Sequence, residues 1–275
     1  MLRKIRGLIR ASHLPPTLAV TAATTVLAVE AGRGRSSIWV AVAVLAGQLS
    51  VGWSNDAFDA ARDTTAGRRE KPIVAGDVGQ RAVAMSALLA LVASVPLSLA
   101  SGWRAASVHL IAIGAAWSYN AGIKSTWLSP IPYALAFGLL PAFVTLGLPG
   151  HPWPLPAAMG ATALIGVGAH FINTVPDVEH DLATGIAGLP QQIGPTRSLL
   201  VGVAMLALAA IFIAALPSER VALRALVTAL ALLIDALVVI EALQGNPRAA
   251  WLLTLLSALV CLGLFVASGG NLVAS

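Results

Sequence analysis

Residues 37–63, SIWVAVAVLAGQLSVGWSNDAFDAARD, give the clearest indication of the fold. This stretch begins with a long, mostly apolar run, and about 20 apolar residues make a helix long enough to cross the hydrocarbon core of a bilayer. The same stretch ends in a group of carboxylates, which are costly near lipid and therefore indicate a functional role. We expect a membrane-spanning helix with a polar site at one end.

Apolar runs recur along the whole chain of 275 residues, of which 57% are hydrophobic and only 11% charged. A soluble domain carries about 25% charged residues, so that class is excluded. The runs are continuous, whereas barrel strands alternate polar and apolar residues. We therefore predict an all-α, polytopic membrane protein of one domain, residues 1–275, with halves of about 1–150 and 151–275. The nine predicted spans are 14–31, 37–56, 82–101, 104–122, 128–148, 155–175, 197–216, 221–243 and 248–268.

The basic residues lie mostly in the short gaps between apolar runs. If the N-terminus is cytoplasmic, 12 of the 17 basic residues fall on the inner side, as the positive-inside rule expects. We predict that orientation in the cell (inner) membrane, with a retained first helix, because no convincing cleavage site follows the N-terminal basic residues. The net charge of +5 is explained by these gaps, so no nucleic-acid partner is expected. The predicted outer basic residues are Arg33, Arg35, Arg104, Arg220 and Arg224.

The second and sixth spans end in the same pattern, Asn-x3-Asp-x3-Asp. Positions i, i+4 and i+8 lie on one face of an α-helix, so each pattern predicts a polar stripe. Both spans are even-numbered and run in the same direction, which places both stripes at the predicted cytoplasmic end. The two stripes are Asn55, Asp59 and Asp63, joined by Asp56, and Asn173, Asp177 and Asp181.

Carboxylates four residues apart destabilise a helix unless a partner compensates their charge. All the side-chain ligand atoms in the stripes are oxygen, which favours Mg²⁺ over Zn²⁺. Mg²⁺ is commonly held by a few carboxylates and by substrate phosphate, so the pattern predicts a phosphorylated substrate between the two helices. The alternative is solvated interfacial charge with helix caps, which two matching stripes make less favourable.

Groups that suit a phosphate lie on the same predicted side of the membrane. Lys and Arg supply charge-assisted hydrogen bonds to phosphate, and a Tyr hydroxyl adds a neutral donor. The alternative roles are membrane orientation for the basic residues and interfacial anchoring for the others. These groups are Arg62, Arg68, Arg69 and Lys71 after the first stripe, and Tyr119 and Lys124 at the end of the fourth span.

These motifs resemble those of the UbiA superfamily of intramembrane prenyltransferases. The first stripe is similar to the N-D-x-x-D-x-x-x-D signature of that superfamily, and the second stripe to its D-x-x-x-D motif. Residues 71–76, KPIVAG, resemble the R-P-[ILV]-x-x-G segment, and residues 119–124 resemble the Y-x(n)-K stretch. The resemblance covers nearly the whole chain, and the paired Asp motifs are its most specific part.

The resemblance implies Mg²⁺-dependent transfer of an isoprenoid chain from its diphosphate to a lipophilic, often aromatic, acceptor in the bilayer. The residues it implies for Mg²⁺ and the diphosphate are Asn55, Asp59, Asp63, Asp177 and Asp181, with Asp56 beside them. Those it implies for the leaving diphosphate are Arg68, Lys71, Tyr119 and Lys124.

Several other polar residues have two interpretations. His170 lies one turn before Asn173 on nearly the same face, so both are expected near substrate, and His170 is a candidate base toward the acceptor. A hydrogen-bonded packing role for His170 is the alternative. The ionisable Asp235 and His109 lie within predicted spans, where they serve either function or packing. Pro176, inside the second motif, can break its helix.

Three departures from the superfamily pattern bear on the acceptor. Lys71 stands where many members have Arg, so a point charge replaces a bidentate contact. Residues 185–190 lack the basic residue often found after the second motif, and no intramembrane Arg is evident for a carboxylated aromatic acceptor. A UbiA-type terpene cyclase that needs no acceptor is therefore the alternative. A transporter fits less well, because its sites usually lie near the bilayer midplane.

Overall fold

A computed structural model gives an all-helical protein and describes residues 2–268 and 271–273, within which there is no β-strand. Most helices coincide with the predicted apolar runs, which confirms the all-α, membrane-embedded class. The helices are α1 Leu2–Ala11, α2 Leu14–Glu30, α3 Ser37–Thr65, α4 Gln80–Leu99, α5 Trp103–Ala121, α6 Pro130–Gly138, α7 Leu140–Thr145, α8 Pro156–Thr174, α9 Val178–Ala183, α10 Leu189–Ile193, α11 Pro195–Ala214, α12 Val221–Leu243 and α13 Pro247–Val266.

Six helical segments of the described chain are long and apolar enough to cross a membrane. Two shorter apolar helical segments, Leu14–Glu30 and Pro130–Thr145, accompany them. The number nine stays a prediction. The six long segments are Gly34–Thr65, Gln80–Leu99, Pro156–Ala183, Pro195–Ala214, Val221–Leu243 and Pro247–Val266.

The predicted span 128–148 is not one helix but two, α6 and α7, which meet at Leu139. Pro141 lies in the first turn of α7. A proline there has no N–H to donate, and its ring crowds the carbonyl of Phe137 four residues before it. The sequence therefore restarts the helix at a position where proline is tolerated.

The helices pack in two groups. In one group α3 packs against α2, α4 and α5, and in the other α8 packs against α6, α11 and α13. The groups are connected where α5 packs against α6. The main apolar core is formed by side chains such as Val44, Phe143, Leu206 and Phe265. The two helices that carry the acidic motifs therefore belong to different groups.

Two arginines that the sequence places in outer connections are buried at helix ends. Arg33 donates to the carbonyls of Phe143 and Val144 at 3.4 and 3.3 Å, near the end of α7. Arg224 donates to the carbonyl of Leu216, just after α11. A cation near a helix C-terminus satisfies carbonyls that have no partner within the helix. These arginines therefore stabilise helix ends.

Candidate active site

The first acidic stripe lies along the last turns of α3, on one continuous helix as predicted. Asp56, Asp59 and Asp63 are only 3%, 7% and 2% exposed, and Asn55 is half-buried. Buried carboxylates are costly unless they are paired, hydrogen-bonded or bound to a metal. Each aspartate must therefore be explained by its neighbours.

Asp59 lies between two cations. Lys124, in the short turn 123–125 after α5, donates to Asp59 Oδ1, and Arg62 Nη2 lies 2.9 Å from Oδ2. Burial lowers the pKa of the Lys124 ammonium below its ordinary value, while the Asp59 carboxylate acts in the opposite direction. The structure thus places Lys124 beside the first motif, whereas the sequence predicts only that it lies on the same side of the membrane.

Asp56 also has two basic neighbours. The Nζ of Lys71 donates to Asp56 Oδ1 at 2.7 Å, and His13 Nε2 lies 2.9 Å from the same oxygen. His13 adopts a left-handed backbone, with φ 50°, which few residues other than glycine accept. The contact of His13 with Asp56 is not predictable from the sequence, since 43 residues separate the two.

Asp63 has a carboxylate oxygen without a hydrogen-bond partner. The Oδ1 atom is buried and has no hydrogen-bond partner among the described residues. Arg62 and Arg68 approach this oxygen only to 3.6 and 3.9 Å, beyond hydrogen-bond length. Although burial lowers it, the pKa of Arg68 is raised overall by its hydrogen bond to Glu70 and by the Asp63, Glu70 and Asp177 carboxylates. Asp63 can thus accept a further ligand.

Asn55 is oriented by the neighbouring helix α5. Its Nδ2 donates to Asn120 Oδ1 at 3.2 Å, and Asn120 Nδ2 in turn donates to Ser54 Oγ at 2.8 Å and to the Val51 carbonyl at 2.9 Å. The amide nitrogen of Asn55 is therefore used, and its oxygen remains as a ligand atom. Asn120 was not identified from the sequence.

The second motif does not form the predicted continuous stripe. Helix α8 ends at Thr174, residues 175–177 form a single 3₁₀ turn, and α9 begins at Val178. Pro176 causes the break, because it has no N–H and its ring crowds the carbonyl of the preceding turn. Asp177 has φ −108° and ψ 0°, outside the α-helical range. The prediction that Asn173, Asp177 and Asp181 share one helical face is therefore wrong.

The second motif is also more open than the first. Asn173 and Asp177 are exposed, and Asp181 is half-buried. Within the described chain neither aspartate forms an ion pair. Instead, Gln191 Nε2 donates to Asp181 Oδ2 at 2.8 Å. Gln191 comes from α10 and was not identified from the sequence.

The charges of the two motifs nevertheless influence one another. Arg68 interacts electrostatically with Asp177, and Arg62 interacts with Asp181. Tyr119 is within electrostatic reach of carboxylates from both motifs. Two basic residues next to the first motif and one tyrosine of α5 are thus each near carboxylates of both motifs.

Aromatic rings form one wall of this junction. The ring of Tyr119 lies edge-on to those of Tyr133 and His170, with centroids 5.1 and 5.5 Å away. His170 stacks on Tyr133 at 4.7 Å, and its Nε2 lies 3.0 Å from Ser129 Oγ. His170 is 1% exposed, and its Nδ1 has no partner among the described residues. His170 therefore has a packing role through Nε2, while its Nδ1 can still form a hydrogen bond to a ligand.

A small cavity of about 30 Å³ lies next to this polar layer, deeper in the bundle. Val51, Ala116 and Phe137 line it, and each lies three or four residues, or about one helical turn, from Asn55, Asn120 and Tyr133 respectively. Most of its lining is apolar, with Gln48 and His109 as the polar members. The site therefore combines a polar layer with an apolar space beneath it.

Sequence comparison agrees with these features. Residues 14–251 match the UbiA prenyltransferase family. The chain belongs to that family. It is 26% identical to digeranylgeranylglyceryl phosphate synthase of Natronomonas pharaonis over 217 residues, which cover 76% of this chain and 77% of the relative. This UbiA protein is thus an enzyme that transfers prenyl groups.

Solved structures show the same fold. The apo structure of a UbiA homologue from Aeropyrum pernix K1 has a TM-score of 0.70 and 18% identity, covering 98% of this chain and 99% of that one. A UbiA homologue from Archaeoglobus fulgidus, bound to DMAPP and Mg²⁺, has a TM-score of 0.68 and 17% identity, covering 94% of this chain and 98% of that one. The UbiA architecture therefore extends over nearly the whole protein.

The ligand atoms of this UbiA protein suit Mg²⁺ that is shared with a substrate. Among the described residues no three His, Cys, Asp or Glu side chains are close enough to form a metal cage. Mg²⁺ rarely uses such cages, because it keeps waters and binds one or two carboxylates together with substrate phosphates. Two separate sets of oxygens, with the unpartnered Asp63 Oδ1 in one of them, fit that mode of binding.

Proposed function

We propose that this enzyme uses Mg²⁺ to transfer an isoprenoid chain from an allylic diphosphate to a lipophilic acceptor inside the membrane. The observation that supports this most is the proximity of the two acidic motifs, since Arg62, Arg68 and Tyr119 are each near carboxylates of both. The A. fulgidus homologue bound to DMAPP and Mg²⁺ agrees with it, as does the synthase name of the N. pharaonis relative.

The two motifs divide the metal-binding task in this proposal. The first motif offers buried oxygens on a rigid helix, and the second offers exposed oxygens beside a broken helix. Bound Mg²⁺ would supply Lewis-acid charge that stabilises the departing diphosphate. The proposed ligands are Asn55, Asp59 and Asp63 of the first motif and Asp177 and Asp181 of the second, with Asp56 and Asn173 beside them.

The basic residues would stabilise the charge that develops as the bond breaks. In the transfer, the bond between C1 of the isoprenoid and the diphosphate oxygen breaks, and its electron pair leaves with the diphosphate. Lys124 already lies against Asp59, and Arg68 lies near Asp63, so both would adjoin a diphosphate bound there. Preorganised charges of this kind stabilise a transition state without reorganisation. We assign Lys71 and Tyr119 to the same group.

The acceptor completes the reaction. Its nucleophilic atom forms a bond to C1 and loses a proton, and the wall formed by Tyr119, Tyr133 and His170 borders the space where this would occur. The available Nδ1 of His170 makes it our candidate to receive that proton. The surrounding apolar helices exclude water, which would otherwise capture the allylic cation.

In this proposal the isoprenoid chain would extend from the polar layer past the small apolar cavity beneath it. The cavity's lining residues Val51, Ala116 and Phe137 lie about one helical turn from Asn55, Asn120 and Tyr133 of the polar layer. We expect Ala116→Phe to fill this space and shift the preference toward shorter allylic diphosphates, measured as the ratio of kcat/KM for geranyl and geranylgeranyl diphosphate. Ala204→Phe, at an exposed position of α11, is the matched control. An unchanged ratio in Ala116→Phe would contradict this assignment.

We place the site on the cytoplasmic side of the cell membrane, in one domain that spans residues 1–275. The excess of basic residues on that side supports this orientation. One end of the bundle carries both acidic motifs, together with α1 and the basic segment that follows α3. Labelling of a single cysteine introduced at Arg69, after Cys261 is replaced by Ser, tests the orientation in sealed vesicles.

A direct assay tests the reaction. Purified protein is incubated with Mg²⁺ and geranyl, farnesyl or geranylgeranyl diphosphate, with and without a panel of quinone precursors and polyprenylglyceryl phosphates. We expect diphosphate release and a prenylated product only with an acceptor, and no reaction in EDTA. Release of diphosphate without acceptor, with formation of a cyclic hydrocarbon, would contradict the transfer reaction.

A further inference from the structure

A groove of about 500 Å³ opens on the outside of the bundle between α1 and the start of α4. Its floor is apolar and includes Leu8, Val78 and Met85. Two cations, Lys4 and Arg81, line it, and neither forms an ion pair with any of the described residues. The groove thus combines an apolar floor with two available positive charges.

The start of α4 adds a third positive element. Gly79 is the N-cap of this 20-residue helix, lines the groove and supplies no side-chain cap. The free N–H groups and the dipole at a helix N-terminus favour an anion. Below this point α4 presents an exposed apolar face toward lipid, formed by Met85, Leu89 and Val92 at 49%, 64% and 67% exposure.

Helix α1 has the features of a helix that lies in the membrane interface. Its apolar residues Leu2, Ile5 and Ile9 are 75%, 44% and 49% exposed, and basic residues occupy much of the remaining surface. Such a helix buries its apolar face at the boundary of headgroups and acyl chains, and its basic face attracts anionic lipid. The groove beside it therefore lies at headgroup depth.

We propose that this groove binds an anionic glycerophospholipid of the surrounding bilayer. The headgroup phosphate lies between Lys4, Arg81 and the N-terminus of α4, and an acyl chain follows the exposed face of α4. The charge of the groove selects against a zwitterionic lipid, whose own cation would meet two like charges. The length of the apolar face below the groove favours a lipid over a free phosphate ion.

Helix α1, which lines the groove, contacts the helix that carries the first acidic motif. Trp53 Nε1 donates to the Leu8 carbonyl at 2.8 Å, which ties α1 to α3. A Cβ on Gly52 would lie 2.4 Å from the Ser12 carbonyl oxygen, so the chain after α1 passes directly against α3. The next residue is His13, which contacts Asp56. Bound lipid would hold α1 in place and thereby hold His13 on Asp56.

A second connection passes through the segment after α3. Asp77 accepts hydrogen bonds from Arg3 and Arg10 of α1, both at 2.9 Å, and Arg10 also donates to the Glu70 carbonyl at 2.5 Å. Lys71, next to Glu70, donates to Asp56. Lipid bound at α1 would therefore support both basic neighbours of Asp56, and this part of the inference rests on the proposed function.

Lipid binding is tested without any substrate. Native mass spectrometry counts the lipids retained when the purified protein is titrated with phosphatidylglycerol or phosphatidylcholine in detergent. We expect phosphatidylglycerol to bind more tightly, and the double variant Lys4→Gln, Arg81→Gln to bind it about thirtyfold more weakly, since each basic residue near an anionic surface contributes roughly a factor of five. The matched control is Arg35→Gln, Arg220→Gln, which removes two exposed charges far from the groove.

Equal retention of the two lipids by the wild-type protein would overturn the proposal, and this comparison does not depend on any variant folding. Equal affinity of the groove variant and the control would also overturn it. Displacement of the bound lipid by inorganic phosphate would show a phosphate site, and displacement only by an isoprenoid diphosphate would show a substrate-entry site; either contradicts the proposal. Prenyl-transfer rates in nanodiscs with and without phosphatidylglycerol are measured separately, so a failed assay leaves the binding result intact.

Discussion

The two acidic motifs have the same spacing in sequence but very different surroundings in the structure. The first lies on an unbroken helix with its aspartates buried and two of them in short ion pairs, Asp59 with Lys124 and Asp56 with Lys71. The second straddles a break at Pro176. There Asp177 is exposed, and Asp181 has a neutral partner.

The difference indicates that the same residue types are used for two tasks. The first motif is held by neighbouring cations before any ligand arrives, so its geometry is set by the fold. In the second motif Asp177 is exposed and half-buried Asp181 has only a neutral hydrogen bond, so we expect a ligand to set its geometry. A rigid half and an adjustable half would together bind a diphosphate and still release it.

The largest effect is expected from removing either half. Asp59→Ala and Asp177→Ala should each lower kcat at least about a thousandfold, because metal stabilisation of a leaving group contributes several kcal/mol. The measurement is prenyl-transfer rate at saturating Mg²⁺. Glu219→Ala, which removes an exposed carboxylate in the connection between α11 and α12, is the control. Near-normal turnover in either motif variant would refute the metal assignment.

Stability should distinguish the two halves. Asp59→Ala leaves the buried Lys124 ammonium without its partner, and such a loss costs roughly 3–5 kcal/mol. Asp177 is exposed, so Asp177→Ala should leave the melting temperature nearly unchanged. Thermal unfolding in detergent, followed by tryptophan fluorescence, checks both. The double variant Asp59→Ala, Lys124→Met should recover stability but not activity. Equal melting temperatures for Asp59→Ala and Asp177→Ala would contradict a first motif that is stabilised by its ion pairs.

Local chemistry made part of this arrangement predictable. The spacing of Asn55, Asp59 and Asp63 predicts one helical face because α3 is continuous, and that stripe is present. The proline rule indicates a break at Pro176, whereas regular i+4 spacing predicts one continuous face for the second stripe. The wrong prediction there came from applying helical periodicity across a residue that cannot maintain it.

Long-range partners were not predictable in the same way. His13, Asn120 and Gln191 come from other helices or turns and carry no local signal of their role. Asn120, for example, is 65 residues from Asn55. Only the packing of α5 on α3 brings those two amides together. Pairing of this kind depends on tertiary structure, which single-sequence periodicity does not describe.

A smaller effect is expected from repairing the break in the second motif. Pro176→Ala restores a backbone donor and lets α8 continue toward α9, which moves Asp177 away from its observed position. We expect kcat/KM to fall about a hundredfold, since misplacing a catalytic group by about 1 Å costs that much. The control is Pro156→Ala, in the first turn of α8. At that position a backbone N–H would have no partner within the helix, so proline costs no helical hydrogen bond. Equal rates in the two variants would show that the break is unimportant.

The smallest effect should come from the neutral partner of Asp181. Gln191→Ala removes the hydrogen bond that orients this carboxylate and should lower apparent Mg²⁺ affinity about tenfold, as is usual for outer partners of metal ligands. Gln192→Ala, whose side chain bonds only the Ala187 carbonyl in the described structure, should change nothing. Mg²⁺ titration of the initial rate separates the two. An unchanged Mg²⁺ affinity in Gln191→Ala would contradict a second motif whose geometry depends on this neutral contact.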